Sequence, residues 1–302
     1  MPYHYSRTQA LHQGRYKDGQ YITAPDSEYA ETLTNWITSG DFMAYEDERF
    51  RLKQAQGRPR NLLYSFHLPG MQQAMVMKVS HISPRYRLSR KIDLFITGLY
   101  KDYCKISFHG AMALHEQDLP VARPLAFWTF RQGCFRKKSY FLCSKLPGSQ
   151  SLKQLLESCR QNNSHPDFHG MARKLASLVR SIHVAGLRHG DLHTGNFLVH
   201  APEPAGSQAK KMPEFNFFLV DYDRCSEVKL KHPWIKTVYD LKDLSSLVMP
   251  TVRDEEWLEM YFNETPSPRS IRIFRFWKNG GINLRRRLLG LPPKKENRHL
   301  AN

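Results

Sequence analysis

Long apolar runs and paired cysteines are both missing from this 302-residue sequence. No window reaches the roughly 18 consecutive apolar residues that a transmembrane helix needs, and the start, Met1-Pro-Tyr-His-Tyr, lacks the charged and then apolar pattern of a secretory signal. We therefore expect a cytoplasmic protein. The five cysteines are scattered and show no CxxC spacing, which argues against a disulfide framework or a zinc site and predicts reduced, packed thiols.

Acidic residues are also scarce. Only 28 Asp and Glu accompany 45 Lys and Arg, so the formal net charge is +17. A charge of this size indicates a polyanionic partner rather than a fold, and nucleic acid, an anionic membrane surface or a polyanionic substrate would each explain it. Aromatic residues make up 12% of the chain, which argues against disorder, and an apolar content of 41% is enough for one large core or two lobes.

The segment 189–199, His-Gly-Asp-Leu-His-Thr-Gly-Asn-Phe-Leu-Val, follows a helical pattern and leads into a short apolar run. It places Asp191 five positions before Asn196. This order is typical of a phosphoryl-transfer loop, in which the aspartate accepts the proton of an attacking hydroxyl and the asparagine gives an oxygen to magnesium. Asp221 ends the next apolar run and is the predicted main metal carboxylate, because Mg²⁺ takes oxygen ligands. Each residue alone would fit an ordinary turn, but together they predict a kinase-like site.

Three short β-type runs between residues 50 and 79, joined by turn signals, predict an antiparallel meander. Lys78 lies in the third run, Ala-Met-Val-Met-Lys-Val, where a kinase-like small lobe carries the lysine that binds the α- and β-phosphates. The alternative is an edge strand with this lysine pointing outward. A GxGxxG pattern is missing, so the candidates for phosphate contact are the isolated Gly57, Arg58 and Arg60, with a solvated turn as the alternative.

The helix predicted over residues 84–118 lacks one expected residue. In a protein kinase this helix carries a glutamate that pairs with the strand lysine, and none is found at a matching position here. Ser107, His109 and Glu116 lie near the apolar face of the helix and are the candidates. For His109 we favour a structural histidine, in the core or at the surface, over a functional partner.

Positions close to the loop leave further alternatives open. Asp223 stands two residues beyond the metal aspartate, where a kinase has glycine; it either helps to bind metal or pairs with Arg224, and we favour the pair. His193 either lies near the transferring phosphate, where a cation would offset developing charge, or makes a loop hydrogen bond. Asp240 or Asp243, in a predicted helix, would hold the catalytic loop from beneath.

Composition and pattern divide the chain into four segments. We predict an α+β, bilobal protein-kinase-like fold with a small antiparallel-sheet lobe and a larger, mainly helical lobe. The segments are an N-terminal extension at 1–34, a small lobe with a helical segment at 35–145, a large lobe with the catalytic loop at 146–268, and a basic amphipathic tail at 269–302. The tail holds ten Lys or Arg against one acid, interleaved with apolar residues, which suits an anionic membrane interface. Packing on the large lobe is the alternative, and nucleic-acid binding is a weaker third choice.

Taken together, these motifs resemble the bacterial lipopolysaccharide kinase family, the Kdo/WaaP-like core-sugar kinases within the protein-kinase-like fold. The resemblance covers roughly residues 45–250 and rests on the segments 108–126, 189–199 and Val220-Asp-Tyr-Asp-Arg. It implies ATP and Mg²⁺ as cofactors and a heptose or Kdo hydroxyl of the lipopolysaccharide inner core as acceptor. Such an acceptor is an anionic glycolipid, so we expect a peripheral protein on the cytoplasmic face of the inner membrane.

The resemblance also implies a role for each candidate residue. Lys78 would hold the α- and β-phosphates, while Asn196 and Asp221 would hold magnesium. Asp191 would orient and deprotonate the sugar hydroxyl for in-line attack on the γ-phosphate, with His193 beside the transferring group. Two other interpretations remain open: a kinase of soluble small molecules or of proteins with the same fold, and a catalytically inactive kinase-like module that binds anionic lipid or a partner.

Overall fold

The computed structural model describes residues 12–24, 29–52, 61–80, 102–132, 136–162, 167–200, 215–228, 232–247, 249 and 252–281. The chain divides into two compact units. The first unit runs to Pro147 and also takes in Asp221–Arg224, and the second contains Gly148–Val220 and the chain from Cys225 onward. The chain therefore leaves the second unit for four residues, and those four belong to the first.

A six-stranded sheet is the centre of the first unit. Its strands are β1 His12–Tyr16, β2 Gly19–Thr23, β3 Asn61–Phe66, β4 Met75–Ser80, β5 Pro124–Gln132 and β6 Arg136–Ser144. They lie in the order β1-β2-β5-β6-β4-β3, and every neighbouring pair is antiparallel. Of the three runs predicted as a meander between residues 50 and 79, the second and third are the strands β3 and β4. The first is not a strand: it shows a 3-10 turn, Glu48–Phe50, and a single bridge from Arg51 to Tyr64.

The two N-terminal strands lie in a segment for which the sequence predicted a polar extension. Instead, β1 and β2 form a hairpin and β2 pairs with β5, so residues 12–24 belong to the sheet. Only Tyr16, Ile22 and a few neighbours are buried, and so few apolar residues give a weak strand pattern. The pairing requires glycine at position 19, because a Cβ on Gly19 would lie 1.7 Å from the carbonyl oxygen of Thr129 on β5.

Aromatic side chains fill the core on one face of this sheet. Trp128 on β5 stacks on Tyr140 of β6, with ring centroids 4.8 Å apart and nearly parallel planes. Phe42 packs edge-on against both rings from a short 3-10 helix, Asp41–Tyr45, that follows helix α1, Ala30–Ser39. The core thus joins the N-terminal helix to the central strands.

Helix α2, Tyr103–His115, packs on the opposite face of the sheet. Its Phe108 contacts the ring of Phe141 on β6. Lys78 on β4 is paired with Phe141, so the two side chains share this face and Lys78 lies beside the helix. Residues 84–101 of the helix predicted from the sequence lie outside the described part of the chain.

The second unit is mainly helical. Its helices are α3 Leu152–Gln161, α4 Phe168–Val184, α5 Pro233–Leu244, α6 Asp254–Phe262 and α7 Pro268–Phe276. Its short strands are β7 Ser149–Ser151, β8 Leu187–Arg188, β9 Phe197–His200, β10 Asn216–Leu219 and β11 Ser226–Glu227. They form two small antiparallel sheets, one in the order β10-β9-β7 and one that pairs β11 with β8. The predicted catalytic loop is the connection from β8 to β9.

One face of helix α4 is apolar and buried. Met171, Leu175 and Ile182 are fully buried along it. The helix ends close to Gly186, which takes a φ of +75° as a residue just beyond a helix often does. The loop that follows is therefore anchored to a helix packed in the core of the second unit.

Of the predicted C-terminal tail, 269–302, the structure describes residues up to 281. Helix α7 packs against α5 and α6 with Phe274 buried, and Arg275 pairs with Asp254 of α6. Up to residue 281 the tail is therefore packed on the large lobe, which was the alternative to a membrane interface. Within the described ranges, no helix is both long and apolar enough to span a membrane.

The described cysteines are free thiols, as predicted. Cys104, Cys159 and Cys225 are buried and Cys143 is partly buried, while Cys134 lies outside the described residues. Burial raises the pKa of the Cys143 and Cys225 thiols to about 12, so both stay protonated near neutral pH. These thiols are packing residues.

Candidate active site

Lys78 is a buried cation in the interior of the sheet. β4 lies between β3 and β6, which excludes the edge-strand alternative, and 9% of the side chain is exposed. Its Nζ donates to Asp221 Oδ1 at 2.6 Å and also to Asp223 Oδ1. Burial disfavours the charged amine, but the two carboxylates outweigh this effect and raise the pKa of Lys78 above its ordinary value. The side chain is therefore an ammonium that faces two acids.

The two acids differ in exposure and in backbone conformation. Asp221 has a φ of +63°, in the left-handed region that residues other than glycine rarely adopt. Its side chain is 45% exposed, against 18% for Asp223. Asp223 Oδ1 accepts the Ser107 hydroxyl at 2.6 Å, and its Oδ2 accepts the Asn61 amide at 3.1 Å. Asp223 is thus engaged inside the first unit and not with Arg224, the partner that the sequence favoured.

Helix α2 presents a hydroxyl, not a carboxylate, to the lysine. Ser107 Oγ lies 3.4 Å from Lys78 Nζ, so Ser107 is the candidate that the structure brings to this site. His109 is partly buried, and burial, followed by the charge of Lys105, lowers its pKa to about 4, which keeps the ring neutral. Glu116 is the C-cap residue of the helix. The neutral His109 agrees with the structural role favoured from the sequence.

Asp243 ties the predicted catalytic loop to helix α5. Its carboxylate accepts the backbone N–H of His189 at 3.1 Å and lies 3.4 Å from His183 Nε2 on α4. Burial would raise the pKa of Asp243, but its hydrogen bonds and the charges of the two histidines together lower it, so the group is ionised. Asp240 instead pairs with Lys236 at 2.7 Å. Of the two aspartates considered from the sequence, Asp243 is the one beneath the loop.

Asn196 is hydrogen-bonded on both its side chain and its backbone. Its Nδ2 donates to the backbone carbonyl of Asp191 at 2.9 Å, and the residue is buried. Its own carbonyl accepts the N–H of Val220 at 2.9 Å. Val220 directly precedes Asp221 in the chain, so this bond holds the residue next to Asp221.

His193 is part of the loop turn. It is the N-cap of a 3-10 turn, Thr194–Asn196, and its Nδ1 accepts the Gly195 N–H at 3.1 Å. Because Nδ1 accepts this hydrogen bond, the other ring nitrogen, Nε2, is the one that can donate. The structure thus shows the loop hydrogen bond, one of the two alternatives.

Comparison with known proteins identifies the family. The model of the lipopolysaccharide kinase (Kdo/WaaP) family matches residues 107–262, just over half of the chain. The chain belongs to this family. Among solved structures the chain is similar to "WaaP in complex with acyl carrier protein", with a TM-score of 0.50 and 17% sequence identity over 83% of this chain and 91% of that chain. A search of curated proteins found no significant match.

For this member of the lipopolysaccharide kinase family, the predicted fold class is confirmed. The antiparallel sheet, the mainly helical second unit and the likeness to WaaP are those of a protein-kinase-like fold. At this identity the WaaP likeness supports the fold alone. The family match begins at Ser107 and includes the catalytic loop, Asp221 and Asp223, while Lys78 precedes it.

The predicted site residues of this kinase fall into two sets. Lys78 and Asp221 are in direct contact within the first unit. One loop of the second unit contains three more residues, Asp191, His193 and Asn196. The residues predicted to contact phosphate lie outside the described part of the chain: Gly57, Arg58 and Arg60.

Sequence reasoning missed what Asp223 does. The order Asp-Tyr-Asp was one signal, because it puts a second acid two residues beyond Asp221. Tyr222 is buried and packs edge-on against Phe141. A second signal was Lys78 itself. It lies in an apolar strand and no glutamate was found for it on the predicted helix, so an acid from elsewhere in the chain was needed to pair with it.

Proposed function

We propose that this kinase transfers the γ-phosphoryl group of ATP to a sugar hydroxyl, on a heptose or Kdo residue, in the inner core of lipopolysaccharide. The observation that carries the proposal is the contact between Lys78 and Asp221, 143 residues apart in the chain and 2.6 Å apart in the structure. A cation for nucleotide phosphates beside a carboxylate for a divalent cation is the arrangement that phosphoryl transfer requires. Family membership supplies the acceptor class.

The charges around Lys78 suit a divalent cation. One ammonium faces two carboxylates, which leaves net negative charge, and Asp221 is the more exposed of the two acids. Within the described ranges, no group of three or more His, Cys, Asp or Glu is arranged to hold a metal by itself. That suits Mg²⁺, which is usually held by one or two protein oxygens together with substrate phosphates. We assign Asp221 and the Asn196 amide oxygen as its ligands, and bound Mg²⁺ would neutralise phosphate charge.

Asp191 is the proposed general base. Its loop is held at two points, by the Asn196 amide on the Asp191 carbonyl and by Asp243 on the N–H of His189. The Asp191 carboxylate accepts the proton of the sugar hydroxyl as that oxygen bonds to the γ-phosphorus, and the bond from the γ-phosphorus to the bridging oxygen of ADP breaks. The Nε2–H of His193 donates to an oxygen of the transferring group.

A membrane-held anionic acceptor agrees with the surface of the second unit. Trp234 is 57% exposed and Phe276 is 49% exposed, and the guanidinium of Arg269 lies 5.7 Å from the centroid of the Trp234 ring. Exposed aromatic residues beside cations are typical of membrane interfaces, and the net charge of +17 favours anionic lipid. We propose peripheral binding to the cytoplasmic face of the inner membrane.

A phosphotransfer assay tests the function. The purified protein is given ATP, Mg²⁺ and, in separate reactions, deacylated core oligosaccharide, free sugars or a generic protein acceptor, and phosphorus NMR identifies the product. A new phosphate monoester on the core oligosaccharide, lost in Asp191→Asn, supports the proposal. Transfer only to free sugars or protein would replace it with another kinase of this fold. An absence of transfer, together with ATP binding that does not depend on Mg²⁺, would indicate an inactive binding module.

A further inference from the structure

The α2 face beside Lys78 holds a serine where a protein kinase holds a glutamate, yet Lys78 has a second acidic partner. That partner is Asp223, which lies in the short segment Asp221–Arg224 of the first unit. We propose that Asp223 is the residue that positions Lys78, with Ser107 orienting Asp223 in turn. The proposal deepens the phosphotransferase function and rests on it for the role of Lys78 in binding nucleotide.

Three elements of the first unit fix the Asp223 carboxylate. The Ser107 hydroxyl on α2 donates to Oδ1 at 2.6 Å, Lys78 on β4 donates to the same oxygen, and the Asn61 amide on β3 donates to Oδ2 at 3.1 Å. Both oxygens therefore have donors, and the carboxylate is in direct contact with the lysine. A carboxylate held in this way determines where the ammonium lies.

Tyr222 anchors the segment that carries Asp223. It is 2% exposed, and its ring packs edge-on against Phe141 on β6, with centroids 6.4 Å apart. This contact holds the residues on either side of it, Asp221 and Asp223, next to β4. The anchor belongs to the same unit as Lys78.

The two acids are suited to different tasks. Asp221 is 45% exposed and has its carboxylate on the accessible side, whereas Asp223 is 18% exposed and is occupied by protein donors. When Asp221 turns to a divalent cation, Lys78 loses one partner, and a buried ammonium without a counter-charge is costly. Asp223 remains as that counter-charge, so it keeps the lysine in place for the nucleotide phosphates. The three donors occupy most of the roughly four lone-pair sites of the carboxylate, which favours a positioning role over metal binding.

A double-mutant cycle on nucleotide affinity tests the proposal. The variants are Asp223→Asn, Lys78→Met and the double variant, and Asp47→Asn is the matched control because it breaks a surface ion pair with Arg49 in the same unit. We expect Asp223→Asn to raise the Kd for ATP by about tenfold to a hundredfold, the size of a positioning effect. In the Lys78→Met background the same substitution should have no further effect on the Kd. Equal losses in both backgrounds would overturn the proposal.

Magnesium dependence separates a positioning role from a metal-binding role. In Asp223→Asn the Mg²⁺ concentration for half-maximal rate should equal that of the unchanged protein. A shift to much higher Mg²⁺, with the rate recovered at saturation, would show that Asp223 is a metal ligand and would overturn the proposal. Ser107→Ala removes only a hydroxyl and should give a smaller loss of ATP affinity in the same direction, again without a change in Mg²⁺ dependence.

Thermal unfolding gives a measurement that needs no activity. Asp223→Asn should lower Tm by several degrees in the unchanged background, because it removes one partner of a buried ion pair. In the Lys78→Met background the same change should raise Tm or leave it unchanged, since two acids then face each other without a cation. Equal decreases in both backgrounds would refute the pair. If no acceptor is phosphorylated, the proposed function fails while this cycle still tests Asp223.

Discussion

Asn196 donates its side-chain N–H to the backbone carbonyl oxygen of Asp191 at 2.9 Å. The bond joins the side chain of the proposed metal ligand to the backbone of the proposed base. The position of each residue in the loop therefore depends on the other. It also occupies the amide nitrogen, which leaves the amide oxygen as the group of Asn196 to face a cation. The five-residue spacing that identified the loop is thus the span of one side-chain hydrogen bond.

Asp191→Asn should reduce turnover by about 10² to 10⁴-fold, because the amide does not accept the proton of the attacking hydroxyl. The Kd for ATP should change little, since nucleotide contacts are assigned to other residues. Steady-state rates on core oligosaccharide and competition binding with a fluorescent ATP analogue measure the two effects. An unchanged turnover would remove Asp191 from the role of base.

Asn196→Ala should affect both stability and metal dependence. It removes the Asn196 amide donor from the carbonyl of Asp191 in a partly buried hydrogen bond, which should lower the free energy of unfolding by about 1 kcal/mol. It also removes a proposed metal oxygen, so the Mg²⁺ concentration for half-maximal rate should rise. Urea unfolding and Mg²⁺ titration of the rate measure these effects. The exposed helix-terminal Asn162→Ala is the matched control, and equal behaviour of the two variants would contradict the assignment.

Asp243→Asn should change how stability depends on pH. The pKa of Asp243 is lowered in the folded protein below its ordinary value of 3.8, so its ionised form stabilises the fold above that value. This contribution should be lost as pH falls below 3.8 through the folded pKa. At neutral pH the variant should be less stable by about 1–3 kcal/mol, because the N–H of His189 loses its charged acceptor.

Urea unfolding of Asp243→Asn across pH measures this difference. It should be constant above about pH 5 and shrink toward acid pH, as linkage requires. Glu259→Gln, at an exposed acid of α6, is the control and should follow the unchanged protein. A difference that does not vary with pH would show that the charge of Asp243 contributes nothing.

Trp234→Ala should weaken binding to anionic vesicles by about threefold to tenfold, on the order of 1 kcal/mol, because an exposed interfacial ring is lost. Vesicle flotation measures binding, with phosphatidylglycerol-containing vesicles compared with purely zwitterionic ones. Met43→Ala is the control, since Met43 is an exposed apolar residue of the first unit. Equal binding of the two variants, or no preference for anionic lipid, would contradict membrane association through this surface.

The fold class and family could be predicted because they depend on local order along the chain. The spacing from Asp191 to Asn196 and the apolar run before Asp221 are short-range features, and the helix and strand periods around them are strong. The roles of these residues remain proposals. These short-range features correctly predicted the protein-kinase-like fold.

The partners of Lys78 could not be predicted, because they depend on strand order and register. That β4 lies inside the sheet follows from the pairings of β3 and β6, which no local pattern encodes. The same limit applies to α5, where Asp240 and Asp243 lie one turn apart and only the packing of the helix shows which of them meets His189. The N-terminal hairpin was missed for a different reason, because its burial rests on very few apolar side chains.

The return of Asp221–Arg224 to the first unit has a consequence for synthesis on the ribosome. Once residue 147 has emerged, all six strands of the sheet exist, but the acids that balance Lys78 have not been made. Among the described residues of a fragment that stops there, the Ser107 hydroxyl would remain as the hydrogen-bond partner of the buried ammonium. We therefore expect the surroundings of Lys78 to be completed only after residues 221–224 have been made, about 75 residues later.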